Sequence, residues 1–477
     1  MKKILISIIL SFAFSLAAAT VAYASSAPYR SAAFDVNGGG TWTPNPYVPW
    51  KVIGDLFYIT GDDGGQAAVE GLISPSDLNI CPEGYIYVTD LGRHLAFKID
   101  GQSNLLATFG GGDDPRARLN FPNGIHAAPD GYIYIADTSN QRIAVFDATG
   151  EFAREITKPD DYRLDRVMFQ PMKIRQDARG YFYVVLLGGT EGIMILRPDG
   201  SFEGYFGSNN VYTSAMDRFK RIIFSDDMIR RDFTRTAASI ADIEIDKHGF
   251  LYAATPNVEH SVVKYSFNAS NLLINTDDES AAIPGNFTSI AVSDKNIITA
   301  LDEGQGMIFQ ISAGNKPLYR FSGKNEGLQL QLGNLSSPSA VAVDVNDNIY
   351  VADKDFSAIQ VFRPTELGKL IQEATYLTDR GLFVEAKPLW EQVLARNPFY
   401  YLAHLGITKA NLAEGDWDGT MLAARRAYNV KYFSEAYWQV RVYLMRNYFN
   451  HAVFGLVLLF AVIIFVKRLR KRRGEAK

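Results

Sequence analysis

Between residues 76 and 362 the chain alternates apolar and polar positions with a period of two, in short runs separated by turn residues. Pro129-Asp-Gly-Tyr-Ile-Tyr-Ile-Ala-Asp137 is the clearest run. It is a turn followed by an apolar stretch too short for a helix and rich in β-favouring residues, which predicts a buried strand. Residues 142–146 predict a second strand, and the turn 147–150 closes a hairpin to a third at 151–156. The unit recurs at 82–90, 177–184, 246–252, 293–298 and 346–353. With Gly84, Gly131, Gly180, Gly249, Asn296 and Asn348 taken as equivalent, the steps are 47, 49, 69, 47 and 52 residues. Six four-stranded repeats of this length predict a six-bladed β-propeller, so the fold class is mainly β.

The last repeat, 332–363, shows only three strands, and residues ~48–60 are expected to supply the fourth, closing the ring and removing its two free sheet edges. That sets the propeller at 48–365, after a Gly/Pro/Ser-rich extended lead-in at 25–47. The 69-residue step marks an insertion around 208–235. Met216, Phe219, Ile222 and Ile223 suit a short amphipathic helix there. Its basic residues Arg218, Lys220, Arg221, Arg230 and Arg231 are candidates for docking a partner. Beyond Pro364 the period becomes helical. Gly381-Leu-Phe383 and Gly415-Asp-Trp417 stand 34 residues apart, with Ala374, Ala403, Gly406 and Ala424 placed for close helix approach. Residues 366–447 thus resemble about two tetratricopeptide repeats, a helical stalk that binds proteins and leans on the propeller or on a juxtamembrane helix expected at 435–448. Phe383 and Trp417 are expected to fill the same inter-helix slot.

Both ends carry membrane signals. Lys2 and Lys3 precede an apolar run from Ile4 to Leu16, and Ala22-Tyr-Ala24 is an A-x-A cleavage site, so 1–24 reads as a signal peptide. Residues 448–466 read as a transmembrane helix whose last fifteen residues carry no polar side chain. The tail 467–477 follows with Lys467-Arg-Leu-Arg-Lys-Arg-Arg473, a positive-inside anchor. The expected topology is one crossing of the plasma membrane, with the bulk extracytoplasmic and the basic tail inside. The formal net charge is −4; the tail contributes +6 and the leader +2, which leaves −12 on residues 25–466. An acidic ectodomain argues against nucleic acid as a ligand. The single cysteine, Cys81, excludes an intrachain disulfide framework and any thiolate metal cluster. Leader and cysteine usage suit a bacterium; in a eukaryote Asn268, Asn286 and Asn334 would be glycosylation acceptors.

The pattern from Phe121-Pro-Asn-Gly-Ile-His through Gly131-Tyr-Ile-Tyr-Ile-Ala-Asp137 to Arg142-Ile-Ala-Val-Phe146 resembles the NHL repeat, and the architecture resembles gluconolactonase-like propellers. The resemblance spans residues ~48–363 and is specific for fold, because such propellers serve as lyases, lactonase-like hydrolases, RNA binders and protein platforms alike. Asp137 and Arg142, matched by Asp90 and Asp353, read as structural turn residues.

Propeller sites lie where innermost strands meet the central channel. The middle positions of those strands, Leu78, Ile125, Ile174, Ile243, Ile290 and Val341, are apolar and pack between blades. Their neighbours share the opposite face. The channel and ligand-binding candidates are therefore Asp77, Asn79, His126, Lys173, Arg175, Asp242 and Glu244. Lyases that resemble this propeller hold a metal with several channel histidines; here His126 stands by itself, and one imidazole makes no zinc site. Lactonase-like relatives imply a divalent cation such as Ca2+, which Asp77, Asn79, Asp242 and Glu244 imitate as oxygen ligands, against the repulsion of Lys173 and Arg175. The favoured expectation is a membrane-anchored scaffold without a cofactor, serving an envelope protein (a transporter among the candidates) or a glycan. A cation-dependent hydrolase or lyase is the alternative.

Overall fold

The computed structural model describes residues 27–60, 66–207, 239–258, 260–266, 269–273, 283, 285–327 and 329–474. The leader and the 208–235 insertion, with Arg218, Lys220, Arg221, Arg230 and Arg231, lie outside the described residues.

Six antiparallel sheets form the blades of a propeller, with innermost strands Pro75–Ile80, Pro122–Ala127, Pro171–Gln176, Asp242–Ile245, Phe287–Val292 and Pro338–Val343. The tight turn between the first two strands of a blade needs one residue in the left-handed region, which glycine, asparagine and aspartate tolerate best. Gly84, Gly131, Gly180 and Gly249 take it with φ of 83–88°, and Asn296 takes it at 59°. In the sixth blade the residue is Asp347 at 61°, one position earlier than the Asn348 equivalence implies. The middle residues of the inner strands are all buried as expected, and the cores form between adjacent blades. Phe109, Ile125 and Phe146 join blades 1 and 2, whereas Tyr134, Ile174 and Phe182 join blades 2 and 3.

The ring closes through Tyr47–Ile53, which pairs antiparallel with Ala358–Pro364, from Ile359 opposite Ile53 to Pro364 opposite Tyr47. The rest of the expected closing segment does something else: Leu56–Thr60 pairs with Gln66–Glu70 in a separate hairpin. The lead-in also departs from expectation. Ser31–Phe34 and Gly40–Thr43 form a hairpin that adds to blade 5, with Ala32 opposite Arg320 and Ala33 opposite Tyr319, making a six-stranded sheet. Ala33 and Phe34 are buried there, and the blade edge offers the strand backbone partners as well.

Helix α1 (Glu366–Asp379) belongs to the propeller's compact unit. The Thr365 hydroxyl donates to the Asn45 carbonyl at 2.9 Å, and a Cβ on Gly368 would meet the Pro46 carbonyl oxygen at 2.2 Å. Gln372 donates to the Tyr47 hydroxyl at 2.8 Å and to Gln310 at 2.9 Å. Tyr319 donates to that same Gln310 carbonyl oxygen at 2.7 Å, and Lys295 bonds Asp347 at 2.8 Å.

The second unit comprises α2 (Phe383–Arg396), α3 (Tyr401–Glu414), α4 (Trp417–Arg426) and α5 (Val430–Gly474), each packed on the next. Gly415, in the left-handed region at φ 75°, ends α3. The expected slot fillers Phe383 and Trp417 instead sit half-buried at helix starts. Trp390 fills the slot: it is 2% exposed, stacks on Tyr400, and occupies the space a Cβ on Gly406 would need. Helix α5 is long and apolar enough to cross a membrane.

Candidate functional site

The inner strands of blades 1, 3, 5 and 6 shift register just after their opening proline or phenylalanine, between Pro75 and Asp77, Pro171 and Lys173, Phe287 and Ser289, and Pro338 and Ala340. A bulge re-aims the residue that follows it. Here it delivers Asp77, Lys173 and Ser289 to a buried layer of contacts between blades.

Asp77, Lys173 and Asp242 form that layer. Lys173 Nζ donates to Asp77 Oδ1 at 2.6 Å and lies 3.6 Å from Asp242 Oδ1, so a side chain from blade 3 joins blades 1 and 4. The three side chains are 8% exposed or less. The carboxylates are further occupied by backbone: the Ile125 amide donates to Asp77 Oδ2 at 3.0 Å, and the Ile290 amide donates to Asp242 Oδ2 at 3.0 Å. The Ser289 hydroxyl donates to Asp242 Oδ2 at 2.6 Å while its oxygen accepts from the Val341 amide. Burial favours the neutral amine of Lys173, but the charges of Asp242 and Asp77 outweigh it and hold the ammonium pKa above its ordinary value.

Arg175, Glu244, Asn79 and His126 make a second layer. Arg175 Nε donates to Glu244 Oε2 at 3.1 Å, and its Nη1 donates to the carbonyls of Ile125 and Ile174. Nη1 also lies 3.9 Å from Asp77. Burial works against the guanidinium charge, yet Glu244, Asp77 and Asp242 together raise its pKa. Burial raises the pKa of Glu244, and Arg175 offsets part of that. Asn79 accepts from the Ala127 amide at 3.2 Å. His126 lies beside this pair with both ring nitrogens buried and unpartnered among the described residues. Burial, then the Arg175 charge, push its pKa down to about 3, so it is neutral. On the remaining two blades the channel positions are Ser289, Ala291, Ala340 and Ala342.

The candidates thus meet, but as an ion-pair network. A hard cation needs several oxygens converging on one point. The Lys173 ammonium stands between Asp77 and Asp242, Arg175 takes Glu244, and Asn79 spends its oxygen on backbone. Among the described residues no three His, Cys, Asp or Glu side chains gather as metal ligands. The oxygen set expected for Ca2+ does not fit a cation in this arrangement.

Sequence reasoning missed the layer of hydroxyls that stitches blades together. Ser76 donates to the Pro122 carbonyl at 3.0 Å, Thr138 to Pro171 at 2.6 Å and Ser339 to Pro75 at 2.7 Å. Ser76 and Ser339 share the position after the opening proline of an inner strand, which was the available signal, whereas Thr138 follows the second strand of its blade. Asp90, Asp137 and Asp353 do serve turns. Each carboxylate accepts from amides of the loop entering its own blade, as Asp137 does from Asn120 at 2.7 Å, and Arg142 bonds Asp137 at 2.8 Å.

Residues 119–146, the entering loop and first three strands of the second blade, match the NHL repeat. No curated protein sequence matches the chain. Among solved structures, a streptogramin B lyase is 12% identical, with 62% of this chain and 94% of that chain covered and a TM-score of 0.41. Virginiamycin B lyase from Staphylococcus aureus is also 12% identical, covering 71% and 95%, with a TM-score of 0.39. A candidate gluconolactonase is 11% identical over 62% and 90%, with a TM-score of 0.41. At such identities the likeness says nothing of chemistry.

Proposed function

We propose that the protein is a membrane-anchored, extracytoplasmic recognition platform: an NHL-type propeller and a tetratricopeptide-like helical stalk held at the surface by α5, presenting their faces to a protein of the cell envelope. A glycan is the second class of ligand. The observation that carries this reading is the state of the channel. Its charged side chains satisfy one another and the backbone of neighbouring blades, so they hold the ring together, and recognition falls to the rims and the stalk. The basic tail next to the apolar span supports an orientation with the bulk outside.

A hydrolase or lyase in the channel would need a cation where Lys173 stands, and a general base freed from Arg175. The deciding experiment is metal analysis and a calcium-dependent thermal shift on the purified full-length protein, followed by crosslinking in native membranes. Metal at one equivalent, lost on Asp242→Ala, would transfer the assignment to the enzyme. A melting curve indifferent to calcium, with a defined envelope protein crosslinked to the propeller or stalk, supports the platform.

A further inference from the structure

One face of α5 is apolar along most of its length. Trp438, Val442, Met445, Phe449, Ala452 and Leu456 follow one another at intervals of 4, 3, 4, 3 and 4 residues, and the alternation continues to Val466. A repeat of 3.5 sustained over four heptads is the period of a helix–helix seam, whereas a straight surface helix drifts ~20° from it with each heptad. Inside a bilayer such a seam means little, because every residue there is apolar. Its upper part is informative. The fifteen apolar residues 452–466 rise about 22 Å, and a ~30 Å hydrocarbon layer takes in about five more, to the neighbourhood of Asn447. Trp438, Val442 and Met445 stand above that level, yet they are 58%, 42% and 60% exposed. The polar residues Gln439, Arg441 and Arg446 sit off the seam.

The flanking charges say which helix fits. Arg441 and Arg446 border the seam at the two positions that face each other across a parallel pair of identical helices. Two copies of this chain would set guanidinium against guanidinium on both sides. Arg441 lies over the Trp438 ring at 5.7 Å, and among the described residues neither arginine forms an ion pair. We propose that α5 docks along this seam against a membrane-spanning helix of a different protein, one that carries carboxylates just outside the hydrocarbon, facing Arg441 and Arg446. This rests on the anchored reading above and specifies the partner's chemistry.

The test uses the full-length chain in phosphatidylcholine vesicles. The probe is a synthetic transmembrane peptide with a leucine seam of the same spacing, an energy acceptor, and glutamates at the two facing positions; a lysine version is the control. Energy transfer from tryptophan reports binding, with Trp438→Phe as the blank. The glutamate peptide is expected to bind at least fivefold more tightly, and Arg441→Glu with Arg446→Glu to invert the order. Equal binding of the two peptides, or an order that survives the charge reversal, overturns the proposal. So does efficient Met445→Cys self-crosslinking in a Cys81→Ser background, which would assign the seam to a second copy. Trypsin access to the tail in the same vesicles separates the failures. A chain that does not span the bilayer defeats the anchored reading and this one together; a spanning chain without charge preference defeats this one alone.

Discussion

Replacing Lys173 by methionine keeps the volume of the side chain and removes its charge. The ammonium lies 2.6 Å from Asp77 and 3.6 Å from Asp242, and all three groups are almost wholly buried. The variant leaves two carboxylates in the interior with hydrogen bonds from amides and Ser289, and Arg175 at 3.9 Å as the remaining nearby cation. Breaking a buried pair from one side costs about 3–5 kcal/mol, because the surviving charge has lost its compensation. Lys173→Met should therefore destabilise by about that amount, and adding Asp77→Asn should return about 2 kcal/mol or more, since it removes the stranded charge. Urea unfolding of the detergent-solubilised protein measures both. The pH dependence has a definite sign. In the wild type the lysine pKa is raised, so its contribution is fully present below the unfolded-state value and fades only as the pH rises through the folded one. The wild-type staple consequently holds throughout the neutral range. A loss below about 1 kcal/mol at pH 7, or a double variant no better than the single, would refute the view that the ammonium compensates the channel carboxylates.

Three further outcomes are expected. His126 has a folded pKa near 3, far below its unfolded value, so it contributes stability above pH 6.5 that is lost as the pH falls, by up to about 1.4 kcal/mol per pH unit. His126→Leu should flatten that slope in acid denaturation and be neutral or stabilising at pH 7, since among the described residues the ring nitrogens have no partners to lose. Gly124→Ala would place a Cβ 2.6 Å from the Met172 carbonyl oxygen and 2.9 Å from Lys173 Cα, forcing blades 2 and 3 apart; calorimetry should show a loss of about 1–3 kcal/mol. Gln372→Ala should cost about 1–3 kcal/mol and speed amide exchange within Glu366–Asp379, the segment it ties to Tyr47 and Gln310.

Much of the propeller was legible because each blade repeats a local signal. Alternation buries one face of a strand, and a turn residue that tolerates positive φ marks the next reversal. The channel candidates were legible for the same reason: a period of two places Asp77 with Asn79, and Lys173 with Arg175. Which blade each side chain reaches was not legible. Lys173 crosses to blade 1 while Arg175 turns to blade 4, and that choice depends on strand bulges and ring geometry that no local window contains. Ser31–Phe34 shows the same limit. The lead-in reads as extended chain and not as a strand, because its partner lies nearly 290 residues away, at Tyr319 and Arg320. Trp390 was overlooked in favour of Phe383 and Trp417 because the 34-residue spacing draws attention to matched positions, and the slot at Gly406 is filled by an unmatched one.

Closure of the ring and departure of the chain towards the C-terminal helices happen at one place. Ala358–Pro364 carries the sixth blade's pairing to Tyr47–Ile53 and runs directly into α1. A pull on the end of α1 would, without further contacts, peel that strand from its partner one hydrogen bond at a time, beginning at Pro364 and Tyr47. Three attachments oppose this. Thr365 and Gly368 hold the start of α1 against Asn45 and Pro46, Gln372 holds its middle to both Tyr47 and Gln310, and Lys295 lies within 3.7 Å of Glu373 while bonding Asp347. Load is thereby shared between the seam, blade 5 and blade 6 before any one pairing must break. The first helix after the propeller acts as the clasp of the ring, a role its place in a helical repeat pattern would not suggest. Gln372→Ala should accordingly lower the unfolding force measured by pulling on the C-terminus far more than by pulling on an internal blade; equal losses along both directions would show that α1 carries no load.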